Sequence, residues 1–182
     1  MRLRNDDSGY GLVTRSLHWL TAAALLAQFV VGYLLVDDSG RGRGRGRGGD
    51  DGSGRGRGRG GDDDGSLSVG DDVLLTVHVA LGLTILALSV GRLLWRRATP
   101  LPPWAPGLSA AERVLATWTE RMLYLSLLLI PLSGLSLLLV SDDLLVAHVT
   151  THIFFFVALA AHLGLVLKHQ AVDRDRLLQR MT

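Results

Sequence analysis

Four stretches of this chain contain no Asp, Glu, Lys or Arg: Ser16–Val36 (21 residues), Val73–Gly91 (19), Met122–Ser141 (20) and Leu144–Leu167 (24). A bilayer core is crossed by roughly 20 apolar residues in helical form, so each run is long enough to span once. Inside lipid the backbone must satisfy its own hydrogen bonds, which restricts spanning structures to helices and closed barrels. The strict alternation of a barrel strand is missing from all four runs. The expectation is an all-α membrane protein, a four-transmembrane-helix bundle with helices over about 10–36, 72–95, 110–141 and 143–169. Its 182 residues, 48% of them hydrophobic, make one domain over 1–182. The mean hydropathy of +0.29 is diluted by a single very polar segment.

That segment is 37–71, whose core reads RGRGRGRGGDDGSGRGRGRGGDDDG. It has too few apolar side chains to offset the entropy of ordering, so a disordered outer loop is expected. Runs of this kind bind RNA in other settings, but Asp50, Asp51, Asp62, Asp63 and Asp64 interrupt this one. A solvated tether is expected, with no nucleic-acid partner. Charge sets the orientation. With both termini cytoplasmic, the inner segments hold 12 of the 19 Lys and Arg against six acids, and the outer segments seven Arg against 11 acids. Positive charge gathers inside, as in the cytoplasmic membrane of a prokaryote. The first run is too long for the h-region of about 7–15 residues in a signal peptide. Without cysteine there are no disulfides, thiolate metal sites or covalently attached haems, which leaves histidine as the ligand chemistry.

The fourth run carries His148, His152 and His162 in a segment of lipid-grade apolarity. An ionisable residue in a membrane span is costly and points to function. Fourteen residues separate His148 from His162, about 21 Å along a helix, so one helix offers an imidazole near each membrane surface. His18 opens the first run at the inner depth of His162, and His78 lies in the second run at the outer depth of His148 and His152. Two pairs at two depths suit two b-type haems, each iron held between imidazoles from facing helices. At 100° per residue, His148 lies about 40° from the face of His162 and His152 about 80°, which favours His148 and leaves His152 as its substitute. Packing histidines, a zinc site or a proton relay are the competing readings, and no carboxylate inside the spans supports the last two.

Arg15, one turn before His18, and Arg92, fourteen residues after His78, sit at the inner surface as candidate partners of haem propionates. Gly82, one turn beyond His78, would let a flat macrocycle or a neighbouring helix approach the backbone. The proline-rich stretch from Arg96 reads as a non-helical strap with Trp95 and Trp104 at the interface. Ser109 with Glu112 forms a capping-box pattern at the start of the third helix. Pro131 should kink that helix, with Ser133 and Gly134 permitting close packing beyond it. His169, at the end of the fourth helix, faces a propionate or water rather than iron.

YGLVTRSLHWL from Tyr10, VHVALGL from Val77, LYL and IPLSG between Leu123 and Gly134, and KHQAVDRD with LQRM after Lys168 resemble the bacterial cytochrome b561 family. The resemblance covers the chain outside the Gly/Arg loop. It implies four helices, two haems b and quinone-linked electron transfer, with His18, His78 and His162 as ligands and the family's fourteen-residue spacing falling on His148. Two departures stand out: Glu120 takes a place, four residues before Tyr124, where many members have histidine, and the Gly/Arg/Asp segment is inserted. The leading expectation is a di-haem carrier or quinone-linked oxidoreductase exchanging electrons with quinone or quinol, with superoxide as a donor in close relatives. The second is a haem-bearing anchor for a soluble dehydrogenase or hydrogenase. The third is a haem-free transporter or scaffold.

Overall fold

The computed structural model describes residues 2–6, 9–44, 73–104 and 107–173; most of the expected loop over 37–71, and the basic tail past Asp173, lie outside the described residues. Four helices make up the fold: α1 (Leu12–Gly44), α2 (Val73–Ala98), α3 (Ala110–Leu139) and α4 (Leu145–Lys168). All four are long and apolar enough to cross a membrane. Large side chains such as Leu26, Val30, Leu83, Phe154 and Val157 stay exposed on the bundle's outside, the surface a bilayer covers.

The helix ends depart from the sequence reading where backbone chemistry overrides the apolar pattern. Each further helical residue adds a hydrogen bond to an existing ladder, so charged residues that end an apolar run need not end a helix. Accordingly α1 continues past Val36 to Gly44, and α2 runs through Arg96 and Arg97 to Ala98. What stops α2 is Pro100, which biases Thr99 away from helical geometry. The Ser109–Glu112 capping box forms in both directions, with the Ser109 side chain accepting from the Glu112 amide and a Glu112 carboxylate oxygen accepting from the Ser109 amide. A single 3-10 turn over Asp142–Leu144 joins α3 to α4, and the Ser141 carbonyl accepts from the Leu144 amide.

Residues ahead of α1 fold back to complete its first turn. The amides of Leu12 and Val13, which have no partner within the helix, donate to the carbonyls of Arg2 and Leu3 at 2.9 and 3.3 Å. Gly11 is required there, because a Cβ would collide with the backbone of Leu3 and Arg4. Buried Asn5 fastens this segment. Its Oδ1 accepts from the Gly11 amide and the Thr14 hydroxyl, and its Nδ2 donates to the Pro100 carbonyl of the strap. Trp95 Nε1 then donates to the Thr14 hydroxyl at 3.1 Å. One polar knot thus joins the N-terminal segment, α1, the end of α2 and the strap.

In sequence order, α1 packs on α2, α2 on α3 and α3 on α4, while no comparable backbone contact joins α1 to α4 among the described residues. Close packing without large side chains is visible at Thr21 and Ser89, 1% and 0% exposed, whose hydroxyls donate to the Leu17 and Ile85 carbonyls of their own helices. The wider α1/α4 seam is closed at mid-height by aromatic rings: Phe29 lies 5.7 Å from Phe155 and 4.9 Å from Phe156 between centroids. Phe155, 2% exposed, clusters with Ile85, Leu127 and Ile130. This apolar waist divides the bundle interior into a terminal end, where α1 begins and α4 ends, and a loop end, where α2 and α4 begin.

Candidate functional site

Two groups of imidazoles flank the waist, and the structure arranges them differently. At the terminal end, His18 of α1 faces His162 of α4 across the open seam, with ring centroids 6.5 Å apart and planes at 56°. Two ring nitrogens that each bind one metal at about 2 Å put their ring centroids about 6 Å apart. These two rings therefore stand at the spacing of a shared metal ion. His18 Nδ1 is buried and has no hydrogen-bond partner.

The pair borders a cavity of about 420 Å³ that reaches from Phe155 and Leu127 down to the strap residues Pro102, Pro103 and Trp104. Arg92 lines it, close enough to place its charge on both His18 and His162, and its guanidinium lies 5.3 Å from the Tyr124 ring centre. The Arg96 guanidinium lies 5.9 Å from the same ring centre, and Arg96 is ion-paired with Glu120. Buried His169 also lines the cavity. Arg15 does not: it is half-buried one turn below His18, and its Nε is enclosed without a hydrogen-bond partner. Trp19 is likewise outside, stacking edge-on against His18 while half exposed to the lipid side.

At the loop end, each imidazole is engaged by a different neighbour. His78 Nε2 lies 3.1 Å from the Gln28 amide nitrogen, and the ring packs on Gly32 of α1. His148 turns toward α3, with Nδ1 3.0 Å from the Ser133 hydroxyl and its Cε1 where a Cβ on Gly134 would come within 3.0 Å. His152 stands edge-on to His148 at 4.7 Å and to Phe29 at 5.7 Å between centroids. All three lie within charge–charge range of one another, but His78 makes no ring contact with either partner. The space beside Gly82 is taken up by the Gln28 amide, 3.6 Å from where a Cβ would stand.

A sequence profile described as prokaryotic cytochrome b561 matches residues 9–182. The chain belongs to that family. Membership makes it a multi-pass membrane b-type cytochrome of electron transfer, and implies binding of haem b. No curated protein matches the chain.

The terminal-end residues fit such a group. A haem b in a chain without cysteine needs imidazole donors and an apolar cavity, with a cation to meet its carboxylates. His18, His162, the Leu25–Leu159 wall and Arg92 supply them. At the loop end the donors are present, with the buried Nδ1 of His78 lacking any partner, although the rings are held apart by Gln28 and Ser133. Among the described residues no group of three His, Asp or Glu side chains converges as a cage for a bare metal ion would require.

Sequence reasoning did not single out Asn5, Gln28, Phe29 or the contact of Ser133 with His148. Gln28 carried a usable signal, being the lone amide side chain in the first charge-free run. Asn5 carried none, since its role depends on where Pro100 returns.

Proposed function

We propose that this cytochrome holds two haems b, one between His18 and His162 and the other between His78 and His148, and passes electrons across the bilayer to or from quinone. The observation that carries this reading is the His18–His162 pair, facing at metal-sharing distance into a cavity that Arg92 and Arg96 also line. A haem b supplies a one-electron iron couple. Held between two imidazoles, a haem would keep no open position for oxygen or peroxide, so the chemistry it would supply is electron transfer rather than oxygenation. Arg92 offers a charge-assisted donor to a propionate; Arg15, enclosed and off the cavity wall, anchors the helix end instead. The Phe29–Phe155 waist keeps water from running between the two sites and sets their separation.

The excess of Lys and Arg at the terminal end supports placing both termini in the cytoplasm and the Gly/Arg segment outside, in a prokaryotic plasma membrane. Quinone would meet the protein at the terminal end. Trp104 and the strap line the cavity there, as does the Arg96–Glu120 ion pair. A reduced-minus-oxidised spectrum with a pyridine haemochrome count tests the reading: two haems b per chain are expected, and a colourless purified protein ends it.

A further inference from the structure

The partner of His148 on α3 does more than fill space. A neutral imidazole carries one N–H, and the nitrogen without it holds the lone pair available to a metal; which is which follows from the hydrogen bond made by the other nitrogen. His148 Nδ1 lies 3.0 Å from Ser133 Oγ, and Ser133 Oγ in turn donates to the Ile130 carbonyl at 2.9 Å. A serine hydroxyl has one proton. With that proton committed to Ile130, Ser133 accepts from the ring, and the three groups form one directed chain: Nδ1–H to Oγ, O–H to carbonyl. The Ile130 carbonyl also lies within reach of the His148 ring, so both polar neighbours on α3 accept and neither offers Nδ1 a proton in competition.

Gly134 makes the approach possible, because a Cβ there would stand 3.0 Å from the ring's Cε1, inside normal contact. His152 has no such support from a second helix: the polar groups in its reach are the carbonyls of His148 and Val149 on its own helix.

We propose that Ser133 is a positioning residue that holds His148 as its Nδ1–H tautomer, with Gly134 clearing the approach, so that Nε2 presents its lone pair as the axial donor of the loop-end haem. The proposal rests on the reading of His148 as that haem's ligand. Donation from Nδ1 to an acceptor pushes electron density toward Nε2 and favours the oxidised iron. Removing the acceptor therefore raises the potential of one haem and leaves the other where it was.

The test uses the full-length, haem-loaded protein in detergent, with spectroelectrochemical titration and low-temperature EPR of the oxidised form. Ser133→Ala is expected to keep two haems per chain, raise one of the two midpoint potentials and alter one of the two low-spin EPR signals. Ser133→Thr, which keeps the hydroxyl, is expected to return both to wild-type values. Should Ser133→Ala lose a haem, recovery of that haem in Ser133→Thr supports the proposal and continued loss overturns it. Unchanged potentials and EPR signals in Ser133→Ala overturn it as well. His148→Ala separates the proposal from the reading beneath it: loss of one haem upholds the ligand assignment, so that a silent Ser133→Ala counts against Ser133 alone, whereas retention of both haems removes the ligand assignment and the proposal with it.

Discussion

The two ends of the bundle use the same side chain in opposite ways. At the terminal end His18 and His162 lie on helices whose backbones stand apart and are bridged by side chains, so their rings meet across a seam with a cavity beside it. At the loop end His148 packs on α3, its helix's main neighbour, and His78 packs on α1, the main neighbour of α2. A wide seam leaves a preformed site; a tight one engages each imidazole with its own neighbour first. The lesson is that equal histidine spacing along α4 does not give equal sites, because the neighbouring helix decides where each ring turns.

The largest expected effect breaks the comparison at its stronger end. His162→Ala removes one of the two imidazoles proposed to hold the terminal-end haem, and the haemochrome count is expected to fall from two to one per chain; a count of two would show that the facing pair holds no haem. His152→Ala makes the opposite claim at the loop end. It should leave both haems in place, and loss of one would transfer the outer ligand from His148 to His152.

Next in size is Gly134→Ala. A Cβ there meets the His148 ring at 3.0 Å, and the neighbour that must yield is a side chain held by Ser133 and wedged against His152. Overpacking of this kind costs on the order of 1–3 kcal/mol, so loop-end haem occupancy in the purified protein should fall while terminal-end occupancy does not. Gly164→Ala is the control on the same bundle. Nothing lies within 4 Å of a Cβ at Gly164, and both occupancies should stay at the wild-type level.

The architecture was legible in the sequence because lipid enforces it. Charge-free runs of spanning length leave few alternatives, and the capping box at Ser109 was readable since its two partners are three residues apart. The pairing of His18 with His162 was readable from depth alone, since both stand near the same membrane surface. What could not be read was rotation. His148 and His152 differ by little in helical phase, and their fates are decided by Ser133, Gly134 and Phe29 on other helices. Gly82 shows the same limit, for its space is claimed by Gln28, a residue 54 positions earlier. The first span ends at Val36 as its apolar run does, while α1 itself continues to Gly44, as helix propagation does not require apolar side chains.

The smallest expected effects sharpen what closes the terminal end. Of the two arginines lining the cavity, Arg96 is ion-paired with Glu120, whereas Arg92 stacks on Tyr124 and places its charge on both imidazoles. Exchanging Arg92 for Gln would remove a positive charge beside the haem proposed there, which would favour the oxidised state. One potential should fall by on the order of tens of millivolts, a charge effect of about 1 kcal/mol at an effective dielectric near that of a protein surface, while the loop-end potential holds. Asn5→Ala acts on the same end without touching charge. It leaves the Gly11 amide and the Thr14 hydroxyl without their shared acceptor and frees the Pro100 carbonyl. Each unmade buried bond costs about 1–3 kcal/mol, partly recovered here by water at the membrane surface. A lower thermal midpoint in detergent is expected, with faster exchange of terminal-end haem to an added acceptor such as apomyoglobin and no change in the loop-end haem. Equal acceleration at both ends would mean that the polar knot stabilises the bundle as a whole and that the strap is not the closure of one site.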